Sequence, residues 1–313
     1  MSSTPKALTI VVVNPNLKRT RWVEPIAAAL PNHRVIDSRD SHDPADVDVA
    51  LVGWMGETDL RRYTKLQLMQ SLWMGVDRLI NNPCVPDGIP LARMVDPGMP
   101  TSMTETVLAH VLAAHRQLDV YSRYQGESLW KTHRQPLAAE RTVGVLGLGE
   151  LGSRCAQTLC SLGFRVVGWS RRGEPIARVE VSTELDWILA QSEILVNLLP
   201  LTDSTIGLLG RSAFNRLPKG SVLINVARGA HVVDDDLLAA LQSGQLRHAY
   251  LDVFNTEPLP PEHPFWTHKH ISVTPHIAAD SDPRTCVPVI VENVRRLVNG
   301  EALVHLVDRE FGY

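Results

Sequence analysis

The chain has 313 residues, of which 44% are hydrophobic and 21% charged, and its formal net charge is -3. That length accommodates two domains of ordinary size, and that composition suits a folded chain rather than a disordered one. The slightly acidic balance excludes the basic surplus of a general nucleic-acid or anionic-membrane binder.

The first apolar run, "ALTIVVV", is too short to span a bilayer and lacks a following small-residue cleavage site. It reads as a strand (8–13) and not as a signal peptide. Further strands are expected at "RVID" (34–37), "VDVALVG" (47–53), "LQLMQSL" (66–72) and "ARMVD" (92–96). Apolar residues at Val107, Leu108, Val111, Leu112 and Leu118 predict a helix from about Met103 to Tyr124. The polar stretch "QGESLWKTHRQP" (125–136) ends in proline and reads as a boundary or an arm. Strands resume with "TVGVLGLG", "RVVGW", "EILVNLL", "SVLINVA", "AYLDVF" and "HISVTPH". A last helix is expected near 288–299, with Pro288 suited to its first turn. Short apolar runs alternating with helical stretches predict a parallel α/β protein. The four cysteines (Cys84, Cys155, Cys160, Cys286) form no CxxC pair and no metal-ligand spacing. Free thiols in a reducing cytoplasm, and no metal site, are the expectation.

"TVGVLGLGELG" sets Gly147, Gly149 and Gly152 in a GxGxxG pattern directly after an apolar strand. The following "SRCAQTLCSLG" has helical spacing and ends in Gly163, which is the context this pattern needs before it signals a dinucleotide site. Gly147 allows a tight turn, Gly149 lets the backbone approach a pyrophosphate, and Gly152 lets the helix pack close on the strand. The N–H groups of the helix start, at Glu150 and Leu151, would face the anion. An NAD-selective loop carries an acid about 20 residues further on, where it accepts from the ribose 2′-OH. This chain has Ser170 there, eighteen residues past Gly152, followed by Arg171 and Arg172. A neutral serine does not repel a 2′-phosphate and two guanidinium groups can grip one, so NADPH is the expected cofactor, with NADH possible. A solvated surface turn is the plainer alternative.

Three later strands are followed by ionisable residues: Arg228 in "INVARGAHVVDDDLL", Glu257 in "LDVFNTEPLPPEHP" and His276 in "SVTPHIAA". Open α/β sheets bind ligands at the carboxyl ends of their strands, where these side chains could converge. Their order and context resemble the D-isomer-specific 2-hydroxyacid dehydrogenases. "NLLPLTDSTIGLL", "NVARGAHVVDDDLLAALQSG", "LDVFNTEPLPPEHPFW" and the terminal "VDREFGY" are similar to the glyoxylate/hydroxypyruvate reductase A branch of that family.

The resemblance implies two Rossmann-like lobes with the active site in the cleft. A flavodoxin-like substrate-binding lobe would be made of 1–102 plus 285–313, and a doubly wound NAD(P)-binding lobe of 103–284 would be inserted in it. It implies reduction of a small 2-oxo acid, glyoxylate or hydroxypyruvate, with His276 as proton donor, Glu257 as its carboxylate partner and Arg228 clamping the substrate carboxylate. Asp252 would hydrogen-bond the nicotinamide carboxamide, Leu199, Pro200 and Thr205 would border the adenosine half, and Ala227 would join the cofactor contacts. The backbone of Met74, Gly75 and Val76 would hold the substrate carboxylate, and Trp54 would wall the pocket, a buried core tryptophan being its alternative. Trp130 in the polar arm is similar to a dimer-contact residue, which implies a homodimer. One departure stands out: the substrate loop, commonly Gly-Ala-Gly-Val-Asp, here reads Trp73-Met74-Gly75-Val76-Asp77. The added bulk leaves open a reductase for a bulkier 2-oxo acid, such as phenylpyruvate or a branched-chain keto acid. A dinucleotide-sensing scaffold is a further alternative, against which the Arg228, Glu257 and His276 set weighs.

Overall fold

The computed structural model describes residues 7–309, so the last four residues of "VDREFGY" lie outside the described chain. Residues up to Met99 together with those from Ser281 onward form one compact unit, and Pro100–Asp280 forms the other.

The first unit is built on β1 (Thr9–Val13), β2 (Arg34–Asp37), β3 (Val49–Val52), β4 (Leu68–Ser71) and β5 (Leu91–Ala92), in the spatial order β2-β1-β3-β4-β5. All neighbours are parallel. This is the flavodoxin-like order. Because side chains alternate across a strand, Ile10, Val12, Val49, Leu51 and Leu68 face one way, against α1 (Arg19–Ala29) and α9 (Pro283–Asn299). Val11, Val13, Ala50, Val52 and Met69 face the other way, against Leu60, Tyr63, Leu66 and Leu79 of the connecting segments and the short α2 (Asp77–Ile80). Both faces are covered, which is why these strands read as unbroken apolar runs. The returning C-terminal stretch is tied to the sheet by buried Asn293, whose Nδ2 donates to Gln70 Oε1 at 2.7 Å.

In the second unit α3 (Met99–His115) and α4 (Leu118–Gly126) precede β6 (Thr142–Leu146). Then follow α5 (Glu150–Ser161), β7 (Arg165–Trp169), β8 (Glu180–Ser182), α6 (Leu185–Gln191), β9 (Ile194–Asn197), α7 (Arg211–Arg216), β10 (Ser221–Asn225), α8 (Asp234–Gln242), β11 (Leu246–Leu251) and β12 (Ile271–Val273). The parallel order β12-β11-β10-β9-β6-β7-β8 is doubly wound and reverses between β6 and β9. Leu146, Val167, Leu195, Leu223 and Leu251 pack under α6, α7 and α8, while Val143, Val145, Val166, Val196 and Ile224 pack under α3 and α5. The chain thus has two Rossmann-like α/β units. Among the described residues, no helix is long and apolar enough to cross a membrane.

Three local expectations fail for physical reasons. The helix expected from Met103 to Tyr124 is two helices, because Gln117 turns into the left-handed region at φ 57°. The Ala114 carbonyl near the end of α3 accepts from Gln117 N–H at 3.2 Å and also from Arg247 at 3.1 Å, which pins the break. The strand "ARMVD" keeps only Leu91–Ala92, since Arg93 N–H is drawn to the His305 carbonyl and Met94 N–H to that of Trp73. The last helix begins at Pro283, not near Pro288, because the Asp282 side chain caps it by accepting from Arg284 N–H. Pro288 falls on the exposed face, where water can serve the carbonyl that loses its donor. Of the two readings of 125–136, the boundary is excluded, because the segment lies within the second unit; the arm is not, and Trp130 in it is 97% exposed.

A buried polar cluster docks α4 on β11. The carboxylate of Asp119 accepts from Arg247 at 2.5 and 2.6 Å, and His248 lies beside it with Nε2 on Ser272 Oγ at 2.9 Å. Burial lowers the His248 pKa from 6.5 to about 4, so the folded unit keeps this ring neutral while the unfolded chain protonates it below about 6.5. The unfolded state therefore binds more protons between those values, and stability falls as pH drops through that window. The loss amounts to about 3 kcal/mol at 1.36 kcal/mol per unit. His248→Gln keeps a donor for Ser272 and is expected to flatten the fall of Tm between pH 6.5 and 4. An identical slope in the variant would exclude His248 as its source.

Candidate functional site

The turn between β6 and α5 has the geometry its glycines imply. Gly147 has φ +93° and sits so close to the β9 segment that a Cβ would meet the Leu198 carbonyl oxygen at 2.8 Å. A Cβ on Gly152 would stand 1.8 Å from the Gly147 carbonyl oxygen, so only glycine lets α5 approach the strand. A Cβ on Gly149 meets nothing within 4 Å, which leaves open space in front of the helix N-terminus at Glu150 and Leu151. Tight turn, close helix and open front fit a dinucleotide pyrophosphate. At the end of β7, Ser170 Oγ accepts from Gly173 N–H at 3.1 Å and shapes a short turn that carries Arg171 and Arg172 outward. Arg172 has only a loose, exposed pairing with Glu174 at 3.6 Å.

The segments after β9 and β10 are held from below by three fully buried side chains, Asn197, Asn225 and His231. Asn197 Nδ2 donates to Asn225 Oδ1 and to His231 Nδ1, both at 3.0 Å. His231 Nε2 then donates to the Pro200 carbonyl at 3.2 Å. Asn225 closes the turn above it, with Nδ2 on the Arg228 carbonyl at 3.0 Å and Oδ1 accepting from Ala227 N–H at 3.3 Å. Leu199, Pro200, Ala227 and Arg228 are thereby fixed as one rim. Thr205 is buried and turned inward, its hydroxyl on the Pro200 carbonyl at 2.9 Å. Sequence reasoning missed Asn197, Asn225 and His231. For the two asparagines the available signal was a polar residue directly after an apolar run, in "ILVN" and "SVLIN".

Arg228, Glu257 and His276 follow β10, β11 and β12, which are adjacent in the sheet. Gly229 allows the first two segments to touch, since a Cβ there would overlap the Phe254 carbonyl carbon at 1.9 Å. Phe254 N–H in turn donates to Glu257 Oε1 at 3.0 Å. The other carboxylate oxygen, Oε2, lies 2.9 Å from His276 Nδ1. A carboxylate only accepts, so Nδ1 carries the hydrogen, and among the described residues Nε2 has no partner. The His276 ring is half exposed while Glu257 is largely covered.

Asp252 explains how His276 keeps this position. Only 1% exposed, its Oδ1 accepts from Thr274 Oγ1 at 2.6 Å and from Ile277 N–H at 2.9 Å, and its Oδ2 accepts from Ala278 N–H at 2.9 Å. The Asp252 carbonyl accepts from His276 N–H at 2.8 Å. Between these anchors His276 adopts φ 55°, a left-handed conformation that a non-glycine residue holds only when its surroundings impose it.

In the other unit, Trp54 follows β3 and stacks with Arg78, whose guanidinium carbon lies 5.5 Å from the ring centre. It is partly exposed, not a core tryptophan. After β4, Trp73 is clamped by Ser71 Oγ, which accepts from its N–H at 3.1 Å and donates to its carbonyl at 2.8 Å. No described residue accepts from the N–H groups of Met74, Gly75 or Val76, so this segment presents a row of open donors.

Residues 108–278 match the family model of the D-isomer specific 2-hydroxyacid dehydrogenase NAD binding domain. The whole chain is similar to solved structures of such proteins. A D-isomer specific 2-hydroxyacid dehydrogenase from Xanthobacter autotrophicus Py2, in complex with NADPH and MES, is 39% identical over 98% of this chain and 100% of its own, with a TM-score of 0.90. An NADPH-dependent glyoxylate/hydroxypyruvate reductase from Sinorhizobium meliloti, in complex with NADP and sulfate, is 36% identical over the same shares, also at 0.90. A probable 2-hydroxyacid dehydrogenase from Rhizobium etli CFN 42, with NADP, HEPES and L(+)-tartaric acid, is 33% identical over 98% and 100%, at 0.86.

Asp252→Asn replaces one accepting oxygen by a donor inside this anchor and leaves an N–H or hydroxyl of 274–278 facing it. Such a buried mismatch costs about 1–3 kcal/mol. Hydrogen exchange at Ile277 and Ala278 is expected to quicken accordingly, with a fall in Tm. Unchanged protection of both amides would show that the segment is held by other means.

Proposed function

The chain belongs to the D-isomer specific 2-hydroxyacid dehydrogenases, NAD(P)-dependent oxidoreductases, and from that premise we propose that it reduces glyoxylate or hydroxypyruvate with NADPH. The observation that carries the proposal is the His276–Glu257 pair, with Nδ1 held by the carboxylate at 2.9 Å and Nε2 without a partner among the described residues. We assign residues 103–284 to the dinucleotide and 1–102 with 285–313 to the substrate.

A reduced nicotinamide supplies, when bound, the hydride that the carbonyl carbon of the 2-oxo acid accepts. The protein does the rest. His276, as the imidazolium with a hydrogen on each nitrogen, gives its Nε2 proton to the carbonyl oxygen as the C–O bond becomes single, and Glu257 steadies the charged ring through Nδ1–H. Arg228 is assigned to the substrate carboxylate and to polarising the carbonyl; the open N–H groups of Met74, Gly75 and Val76 are assigned to the carboxylate. Gly147, Gly149, Glu150, Leu151 and Gly152 would hold the pyrophosphate, Leu199, Pro200 and Thr205 would border the adenosine half, Ala227 would join the cofactor contacts, and Asp252 would hydrogen-bond the nicotinamide carboxamide. Ser170, Arg171 and Arg172 receive the 2′-phosphate. The relatives solved with NADPH or NADP support that choice, and the one named a glyoxylate/hydroxypyruvate reductase supports the substrates. A homodimer belongs to the same reading, because Trp130 and Leu137 are large apolar side chains left exposed, which a second copy would cover. The four free cysteines suit the reducing cytoplasm.

Two measurements test this. His276→Ala is expected to lower kcat with NADPH and glyoxylate by about 10²–10⁴-fold while the NADPH Kd stays near that of the parent. A variant keeping most of its rate would remove His276 from the proton transfer. Arg171→Ala or Arg172→Ala is expected to cut the preference for NADPH over NADH by about one to two decades, chiefly through KM for NADPH. That follows from about 1.5–3 kcal/mol for a charge-assisted hydrogen bond and 1.4 kcal/mol per decade. Equal use of both cofactors by the unmodified protein would make the arginines an ordinary solvated turn.

A further inference from the structure

The unit built on β1–β5 has a switch point of its own. Its strand order β2-β1-β3-β4-β5 reverses between β1 and β3, and open α/β sheets bind ligands beside the carboxyl ends of such a strand pair. The residues that follow those two ends are Asn14 and Gly53. The space there is filled from within. A Cβ on Gly53 would lie 2.6 Å from Asn14 Nδ2, 2.8 Å from Asn14 Cγ and 3.0 Å from Trp73 Cη2. Trp73 comes from the end of β4, the next strand along, so its indole reaches back across the end of β3 to the amide of Asn14. Gly53 does not adopt a positive φ. It is small because the indole and the amide occupy the place of its side chain.

Two further facts mark this wall. The Trp73 backbone is clamped by Ser71 Oγ and by Met94 N–H, so the origin of the indole is fixed one residue before the open N–H groups of Met74–Val76. Asn14 beneath it is only 6% exposed, and its amide, like Trp73 Cη2, stands within 3.0 Å of the place a Cβ on Gly53 would take.

We propose that Trp73, seated on Gly53 and Asn14, is the residue that limits substrate length. The proposal rests on the reading that Met74–Val76 hold the carboxylate of a 2-oxo acid. With the carboxylate there, the indole takes the room beyond the third carbon. Two- and three-carbon acids fit, and a phenyl or branched tail meets the ring.

The test measures kcat/KM with NADPH for glyoxylate, hydroxypyruvate and phenylpyruvate in the unmodified protein, Trp73→Ala and Trp73→Leu, with Tm recorded for each. One methylene of pocket space controls about 10–200-fold in selectivity. The phenylpyruvate-to-glyoxylate ratio is therefore expected to rise at least about tenfold in Trp73→Ala. Trp73→Leu keeps an apolar side chain against Gly53 and is expected to raise the ratio by a smaller factor, which serves if the alanine variant does not fold. An unchanged ratio in a folded variant overturns the role of Trp73, as does an unmodified protein that already prefers phenylpyruvate. Failure to reduce any 2-oxo acid would instead overturn the proposed function, so the two failures are told apart.

Discussion

Parallel strands impose one constraint on everything else in this molecule: all segments that leave the strands of a sheet emerge along the same edge. In the larger unit that edge gathers the turn of Gly147–Gly152 and the segments of Leu199, Arg228, Glu257 and His276. Such segments have lost their ladder partners, and their backbone groups must be paired by something else. Asp252 serves the segment of His276, and Asn197, Asn225 and His231 serve those of Pro200 and Arg228. A buried polar set of this kind is stable only when each member is satisfied, and then it is rigid. The left-handed His276 is held by that rigidity rather than by local preference.

Much of this was legible in the chain. The glycine spacing after an apolar strand announced the turn before α5, and the order of Arg228, Glu257 and His276 announced three neighbouring strand ends. The hydrophobic runs located nearly every strand. What stayed hidden depends on partners remote in sequence. Nothing local to "LDV" says that Asp252 bonds residues 274–278, or that the end of α3 is served by Arg247. The break at Gln117 is likewise invisible to periodicity, because Leu112 and Leu118 continue the apolar pattern although both end up exposed. β8 is short and partly exposed, so it carries no apolar run to read.

The turn after β7 shows why residue type and setting must be read together. Ser170 spends its hydroxyl on Gly173 N–H, which bends the chain and points the next two arginines into water. An acid is present in that turn, Glu174, yet it meets Arg172 only at 3.6 Å with both side chains well exposed. Exposed pairs of that kind contribute little and are screened by salt, so Glu174 does not hold the Arg172 guanidinium in one place.

Glycine carries opposite meanings on the two sheets, and the difference separates a site for a ligand from a seat for a side chain. Gly149 faces nothing within 4 Å, so its missing side chain leaves room for a molecule that is not part of the protein. Gly53 stands at the equivalent kind of place on the other sheet, yet its missing side chain is replaced by Asn14 and Trp73. Sequence alone scores both as glycines after an apolar strand. The distinction arises because Trp73 approaches from β4, twenty residues later, and with Asn14 fills the place that a side chain at 53 would need. The positions are therefore coupled: a Cβ at 53 would have to displace the Asn14 amide, at 2.6 Å, as well as the Trp73 indole, at 3.0 Å.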